Sequence, residues 1–254
     1  MPFDLNTLIH RLESAQARQN DRFNLASGGQ SLPVGGGFAH FRGAGHPLNQ
    51  ALALVKPISG EDLASVEAFL GDPVVLELSP SADGGLWPLL AARGYRVHQF
   101  QQQLTHDLGK VETPDPAFEI RPLRSGESDL QSRVVGAGFF ERDDWQGFDP
   151  PFTTPEGVED CLRYLAFVDG EPAGGATLGW NDGVAMLGGD AVLPRFRGRG
   201  LQKALIRVRL LAAKEHGCDI ATASTLPSTP SQRAYEACGF RVAYPKLEMT
   251  RSKS

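Results

Sequence analysis

No stretch of the 254-residue chain approaches the roughly 20 uninterrupted apolar residues that a membrane-spanning helix needs. The opening Met1-Pro-Phe-Asp-Leu-Asn6 has neither a basic nor an apolar segment, so no secretory signal is visible there. Cysteine is scarce: Cys161, Cys218 and Cys238 are too few and too scattered for a disulfide framework or a zinc site. Their spread suits a reducing cytoplasm, with each thiol a small core residue, and no metal is expected. Basic charge is not in excess either. The net charge of −5 argues against general nucleic-acid binding. The remaining composition, 41% hydrophobic and 22% charged, excludes disorder over most of the chain. The length suits two compact units of about 100–150 residues each.

Local patterns order the chain. Asp4 reads as the N-cap of a helix that places Leu5, Leu8, Ile9 and Leu12 on one face. A Gly-rich loop at 28–37 follows, then strands near 38–41 and 50–55. Ser59-Gly-Glu-Asp62 resembles a capping box opening a helix over 61–70. A strand at 73–79, a short helix stopped by Gly94 and strands within 95–108 complete the first half. Residues 111–117, with Pro114 and Pro116, read as a linker between a domain at 1–110 and another at 118–254. The second half reads strand 118–122, a helix over 126–138 capped by Ser125, and an aromatic, acidic loop, Phe139-Phe-Glu-Arg-Asp-Asp-Trp-Gln-Gly-Phe148. A meander then turns at Asp169-Gly170 and at Asn181-Asp-Gly183. A helix over 201–216, a strand, a helix over 230–238 and a last strand finish it. This is an α+β order with a mixed, mostly antiparallel sheet flanked by helices.

Two segments match at a fixed offset. Arg93-Gly-Tyr-Arg-Val97 falls on Cys238-Gly-Phe-Arg-Val242, 145 positions later, and the strand at 74–79 falls on 219–224. Two copies of one fold account for this. Chance recurrence of a common strand–helix–strand unit is the other reading.

The segment richest in chemistry is Pro194-Arg-Phe-Arg-Gly-Arg-Gly-Leu-Gln202, between a strand and a helix. Gly198 and Gly200 allow a tight turn and leave the backbone amides uncovered at a helix N-terminus, which favours an anion. Arg195, Arg197, Arg199, Lys203, Arg207 and Arg209 place six cations within the fifteen residues 195–209, with no acid among them. The helix pattern puts Leu201, Ala204, Leu205, Val208 and Leu211 on the core face and the basic residues on the open one. Neither a dinucleotide-binding fingerprint nor a P-loop fits, because the third Gly and the Gly-Lys-Ser/Thr ending are absent. A solvated basic helix after a Gly turn would show the same residues. Nucleic-acid binding through 195–209 finds no other support in an acidic chain.

Together with a second motif, Ser231-Gln-Arg-Ala-Tyr235-Glu-Ala-Cys-Gly239-Phe240, the loop resembles the GNAT family of N-acetyltransferases over about 118–250. Arg195, Gly198 and Gly200 meet that family's acyl-CoA signature, and Tyr235 with Gly239-Phe240 meets its second motif. The resemblance implies two GNAT-like modules and an acetyl-CoA-dependent N-acetyltransferase acting on a small-molecule or protein amine by direct attack in a ternary complex. It implies no metal, and a cytoplasmic monomer or homodimer. It also implies that the amides around Arg197, Gly198, Arg199, Gly200, Leu201 and Gln202 cradle the CoA pyrophosphate, and that backbone at Ala191 and Val192 holds the pantetheine arm. Tyr235 then takes the general-acid position, although a helix tyrosine packed into the core would look the same. Asp190 and Glu141 are candidates for the base. Asp143 and Asp144, with Glu141 and the aromatics of 139–148, fit a pocket for a cation with apolar bulk. A non-catalytic acyl-CoA-binding regulatory module is the alternative to an enzyme.

In the first half Leu90 stands where Tyr235 stands in the second, and Phe41-Arg-Gly-Ala-Gly45 lacks both the spacing and the basic cluster. Residues 1–110 read as a degenerate GNAT-like module without acyl-CoA chemistry. An unrelated α/β cap domain fits the same patterns.

Overall fold

The computed structural model describes residues 4–114, 117–150 and 155–252. Asp115 and Pro116 of the expected linker lie outside them. Contacts divide the chain into two compact units. The first runs through Gln103 and adds Thr225–Pro227 and the chain from Val242 onward, and the second holds Leu104–Ser224 and Ser228–Arg241. The units are therefore discontinuous. The sequence pattern groups the last strand with the second half, whereas its contacts group it with the first.

The first unit contains α1 (Leu5–Ala26), β1 (Gln30–Val34), β2 (Gly37–Phe41), β3 (Gln50–Leu52), α2 (Gly60–Leu70), β4 (Val74–Leu78), α3 (Leu86–Ala92) and most of β5 (Arg96–His106). The Asp4 carboxylate caps α1, which runs on to Ala26, well past the face of Leu5, Leu8, Ile9 and Leu12. β1 falls in the stretch read as a Gly-rich loop. It is an edge strand, with Pro33 opposite Phe38, and an edge tolerates the missing N–H. Leu63, Val66 and Leu70 of α2 pack with Leu76, Leu78, Leu86 and Leu90.

Within this unit β11 (Arg241–Arg251) lies antiparallel to β4, Leu247 opposite Leu78 and Glu248 opposite Glu77. Its Lys246 side chain has 0% exposure. The Lys246 ammonium donates to Gln16 Oε1 at 2.7 Å and lies 2.8 Å from Glu13 Oε1 and 2.9 Å from Glu77 Oε1. The Tyr244 hydroxyl donates to Glu13 Oε1 at 2.7 Å. One buried cation thus ties α1 and β4 to the last strand, which explains its membership of this unit.

The second unit contains β6 (Glu119–Pro122), α4 (Ser128–Phe139), β7 (Cys161–Val168), β8 (Glu171–Asn181), β9 (Val184–Val192), a single 3-10 turn at Pro194–Phe196, α5 (Leu201–Glu215), β10 (Ile220–Thr225) and α6 (Pro230–Ala237). Glu127, not Ser125, is the N-cap residue of α4, and its side chain makes no capping bond. Asp169-Gly170 and Asp182-Gly183 turn the meander, all four with positive φ, as two-residue hairpin turns require. The strand order is β10-β9-β8-β7-β6, with residues 104–106 of β5 beside β10. All these pairs whose register is defined are antiparallel except β9 with β10. The core gathers Tyr164, Leu165, Leu178, Leu187, Leu201 and Leu205.

The order α-β-β-β-α-β-α-β occurs twice, once from α1 to β5 and once from α4 to β11. Each repeat ends on an eleven-residue strand, Arg96–His106 and Arg241–Arg251. Among the described residues no helix is long and apolar enough to cross a membrane.

Removing the buried cation leaves two carboxylates without compensation. Lys246→Ala is expected to lower the unfolding free energy by about 3–5 kcal/mol, read from the urea midpoint. An unchanged midpoint would show that the cluster does not hold β11 in place.

Candidate active site

The site begins where two parallel strands part. β10 pairs with β9 at Val184, Ala185 and Met186, through Ile220, Ala221 and Thr222, and no further. Yet β9 runs on to Val192 and β10 to Thr225. On its other edge β9 stays with β8: Gly175 faces Ala191 and Gly174 faces Val192. Thr177 faces Gly188, so Gly189 and Asp190 together oppose one residue of β8. This is a β-bulge, and Gly189 takes the positive φ, +56°, that it requires. The bulge turns Asp190 out of the ordinary alternation at the point where the β10 ladder has ended.

β9 leads into the loop that carries Gly198 and Gly200. Gly200 is the N-cap of α5 in a left-handed conformation, φ 92°, and provides no side-chain cap. The first-turn amides of Leu201, Gln202 and Lys203 have no intrahelical acceptor. The amide of Arg197 differs: it donates to Pro194 O at 3.1 Å, so it is not one of the open donors. Arg199 and Lys203 are exposed and have no carboxylate partner among the described residues.

Two loop arginines face the other way. The Arg195 amide donates to Asp143 Oδ1 at 2.9 Å, and its guanidinium lies 3.2 Å from Glu171. Arg197 donates to Val192 O at 2.9 Å and to Gly138 O at 2.8 Å, and is ion-paired with Glu141. α4 comes this close because residue 138 is glycine, whose added Cβ would stand 2.9 Å from that of Ala191. Arg197 is thus a clasp between the end of α4 and the end of β9, rather than a free cation.

Arg209 corrects the reading of α5 more strongly. It does not ride on the open face, since its side chain has 0% exposure. It lies four residues after Leu205 and eight after Leu201, on the buried stripe, while Val208 and Leu211 fall at its margin. Its guanidinium donates to Leu205 O and Thr177 O, both at 3.1 Å, and to Gly188 O at 3.4 Å in the bulge. It also lies 3.3 Å from Asp190 Oδ1 and 3.4 Å from the Tyr235 hydroxyl. Tyr235 in turn donates to Asp190 Oδ1 at 2.7 Å, and Gln202 Nε2 reaches Asp190 Oδ2 at 3.4 Å. The Tyr235 ring stands edge-on to Phe240, centroids 5.0 Å apart. Burial pushes the phenol far above its ordinary range; Arg209 works against this and Asp190 adds to it. The hydroxyl is therefore protonated at neutral pH.

The structure thus joins Tyr235 to Asp190 and sets Glu141 apart. Glu141 is exposed and paired with Arg197. The acidic loop does not present free carboxylates for a cation, because Asp143 holds the Arg195 amide and Asp144 lies 4.0 Å from Arg142. Of the aromatics, Phe148 is buried in the core while Phe139 and Phe140 are exposed. A cavity of about 510 Å³ lies beside Arg195, lined also by Trp145, Asp143 and Glu171. Among the described residues no group of three His, Cys, Asp or Glu side chains could hold a metal ion.

The clasp can be tested alone. Arg197→Ala is expected to speed amide exchange across 138–142 and 193–199 about tenfold, since each lost bond is worth about 1 kcal/mol. Glu141→Gln keeps the two carbonyl bonds and is expected to leave that exchange within about twofold. Equal effects of the two substitutions would contradict the clasp.

Residues 130–240 match the Acetyltransferase (GNAT) family. No curated protein matches the chain. Several solved structures share the fold. A GCN5-related N-acetyltransferase from Kribbella flavida is 18% identical, with 96% of each chain covered and a TM-score of 0.71. A tandem GNAT protein from the clavulanic acid biosynthesis pathway is 15% identical over 88% of this chain and 78% of its own, with a TM-score of 0.58. A GCN5-related N-acetyltransferase from Sphaerobacter thermophilus is 17% identical over 76% of this chain and 67% of its own, with a TM-score of 0.55. A GNAT acetyltransferase domain therefore lies at residues 130–240, within a mixed α+β fold of the GNAT type.

Proposed function

We propose that the protein transfers an acetyl group from acetyl-CoA to a primary amine, carried by a small molecule or by a protein, through direct attack in a ternary complex. One observation carries the reading. The uncapped N-terminus of α5, with the exposed cations Arg199 and Lys203 beside it, follows directly on the strand whose bulge holds Asp190 against Tyr235. The amides from Gly198 to Lys203 and the two exposed cations suit a pyrophosphate. The edge of Ala191 and Val192 beyond the end of the β10 ladder suits an extended amide-bearing arm, which needs backbone partners. Arg195 and Arg197 serve by shaping the loop.

The chemistry needs a proton removed from the attacking amine and one given to the leaving thiolate. Tyr235, held protonated, is the donor in this reading. Asp190 is a better-placed base than Glu141, which is engaged with Arg197 outside the strand gap.

In the same reading the first unit is a degenerate copy without an acyl-CoA site. Its helix α2 corresponds to α5, but Ser59 and Asp62 form a capping box there: the Ser59 hydroxyl accepts from the Asp62 amide at 3.1 Å. Glu61 and Asp62 add negative charge to the first turn, which opposes a phosphate. The Phe41–Gly45 segment lies between β2 and β3, not ahead of α2.

Acyl-CoA binding without transfer is the second reading. It is favoured by the Tyr235 side chain, 2% exposed with its proton already engaged by Asp190. Thiol release measured across a panel of amines separates the two: the enzyme releases CoA with at least one primary amine, and a binding module with none. Tyr235→Phe is expected to lower turnover about 10²-fold or more with acetyl-CoA affinity unchanged. Unaltered turnover would remove Tyr235 from the chemistry.

A further inference from the structure

We propose that Arg209 is the positioning residue of this site, and that through it Asp190 and Tyr235 act as one proton relay rather than as a separate base and acid. The inference rests on the acetyl-transfer reading and deepens it. Its first support is what Arg209 touches. A buried guanidinium is tolerated only where its donors are satisfied. Here the acceptors are the backbone carbonyls of the strand pair beside the bulge, Thr177 O and Gly188 O, together with Asp190 and the Tyr235 oxygen. A cation whose only task was packing would not need to meet the bulge and both candidate groups at once.

The second support is the 2.7 Å bond from the Tyr235 hydroxyl to Asp190 Oδ1. In the tetrahedral intermediate nitrogen and sulfur sit on one carbon, about as far apart as the two oxygens of this pair. The amine attacks in its neutral form, and Asp190 takes the proton from the positively charged nitrogen of the tetrahedral intermediate, breaking N–H and forming O–H. As the C–S bond breaks, the Tyr235 O–H proton passes to the sulfur. Asp190 then returns its proton to the phenolate oxygen along their shared hydrogen bond. From the tetrahedral intermediate onward protons balance within the pair, and the proton by which an ammonium becomes the attacking amine leaves to solvent beforehand. The transient phenolate forms 3.4 Å from the Arg209 guanidinium, whose charge persists at any working pH. Gln202, at the first turn of α5, holds the other Asp190 oxygen and links the pair to the phosphate-seeking loop.

The experiment compares Asp190→Asn, Tyr235→Phe, their double variant, Arg209→Lys and Arg209→Met in the full-length protein. Readouts are kcat and KM by CoA release, acetyl-CoA affinity by calorimetry, and the urea midpoint. A relay acts as a unit, so the double variant is expected to lose no more kcat than the worse single one. Arg209→Lys keeps the charge but not the fork. It is expected to fold, to bind acetyl-CoA within about threefold of the unaltered protein and to lose kcat about 10²-fold. Arg209→Met, if folded, should lose at least as much kcat as Arg209→Lys. If it does not fold, Arg209→Lys and the double variant still decide. Multiplying losses in the double variant overturn the relay, and an unaltered kcat in Arg209→Lys overturns the positioning role. Binding of acetyl-CoA by the unaltered protein without CoA release on any amine overturns the transfer reading, and the relay with it.

Discussion

A fully buried guanidinium is the constraint on which the second unit is built. Arg209 enters the core because its place on α5 continues the stripe of Leu201 and Leu205. Once there it has to be surrounded by acceptors, since an uncompensated buried charge costs several kcal/mol. β8 provides the Thr177 carbonyl, β9 provides the Gly188 carbonyl and Asp190 of the bulge, and α6 provides the Tyr235 oxygen. Helix, strand, bulge and second helix are therefore mutually specified. The same bulge falls where β9 and β10 have already parted, so the packing solution and the opened edge are one feature. The first unit has its own version of this constraint in Lys246, which gathers Glu13, Gln16 and Glu77 from two other elements around the last strand.

The two halves show how one element order can hold opposite chemistry at a helix N-terminus. α5 begins with a left-handed glycine that leaves its amides open and has cations beside it. α2 begins with a serine and an aspartate that satisfy each other and carry negative charge. The backbone order is the same, and only the capping residues decide whether the helix end can receive an anion.

Much of the fold was legible in the sequence because it rests on local rules. The Asp-Gly turns, the Asp4 cap, the Ser59 capping box and the glycines of the loop each carry their own conformational signal. The edge strand β1 did not show, since Pro33 and flanking glycines read as loop when no partner strand is in view. The grouping of β11 with the first unit did not show either, because it depends on contacts between residues as distant as Glu13 and Lys246. At the site, Tyr235, Asp190 and the loop were visible as motif positions, but their connection was not. By composition Arg209 belongs with the surface cations, but its spacing from Leu205 places it on the apolar stripe. A charge at a core position of a helical pattern was the available signal. The sequence motif suggests separate roles for Arg197 and Glu141, and the fold pairs their side chains. Two opposite charges 56 residues apart give no sign of pairing until the chain is folded.

The central claim is a single acyl-CoA site, built by the second unit and closed off in the first. Calorimetric titration of acetyl-CoA into the full-length protein, repeated with Gly200→Asp to place a carboxylate at the α5 cap, tests it most directly. The account predicts one site per chain, abolished by that substitution. Two sites, or one site that survives it, would contradict the account.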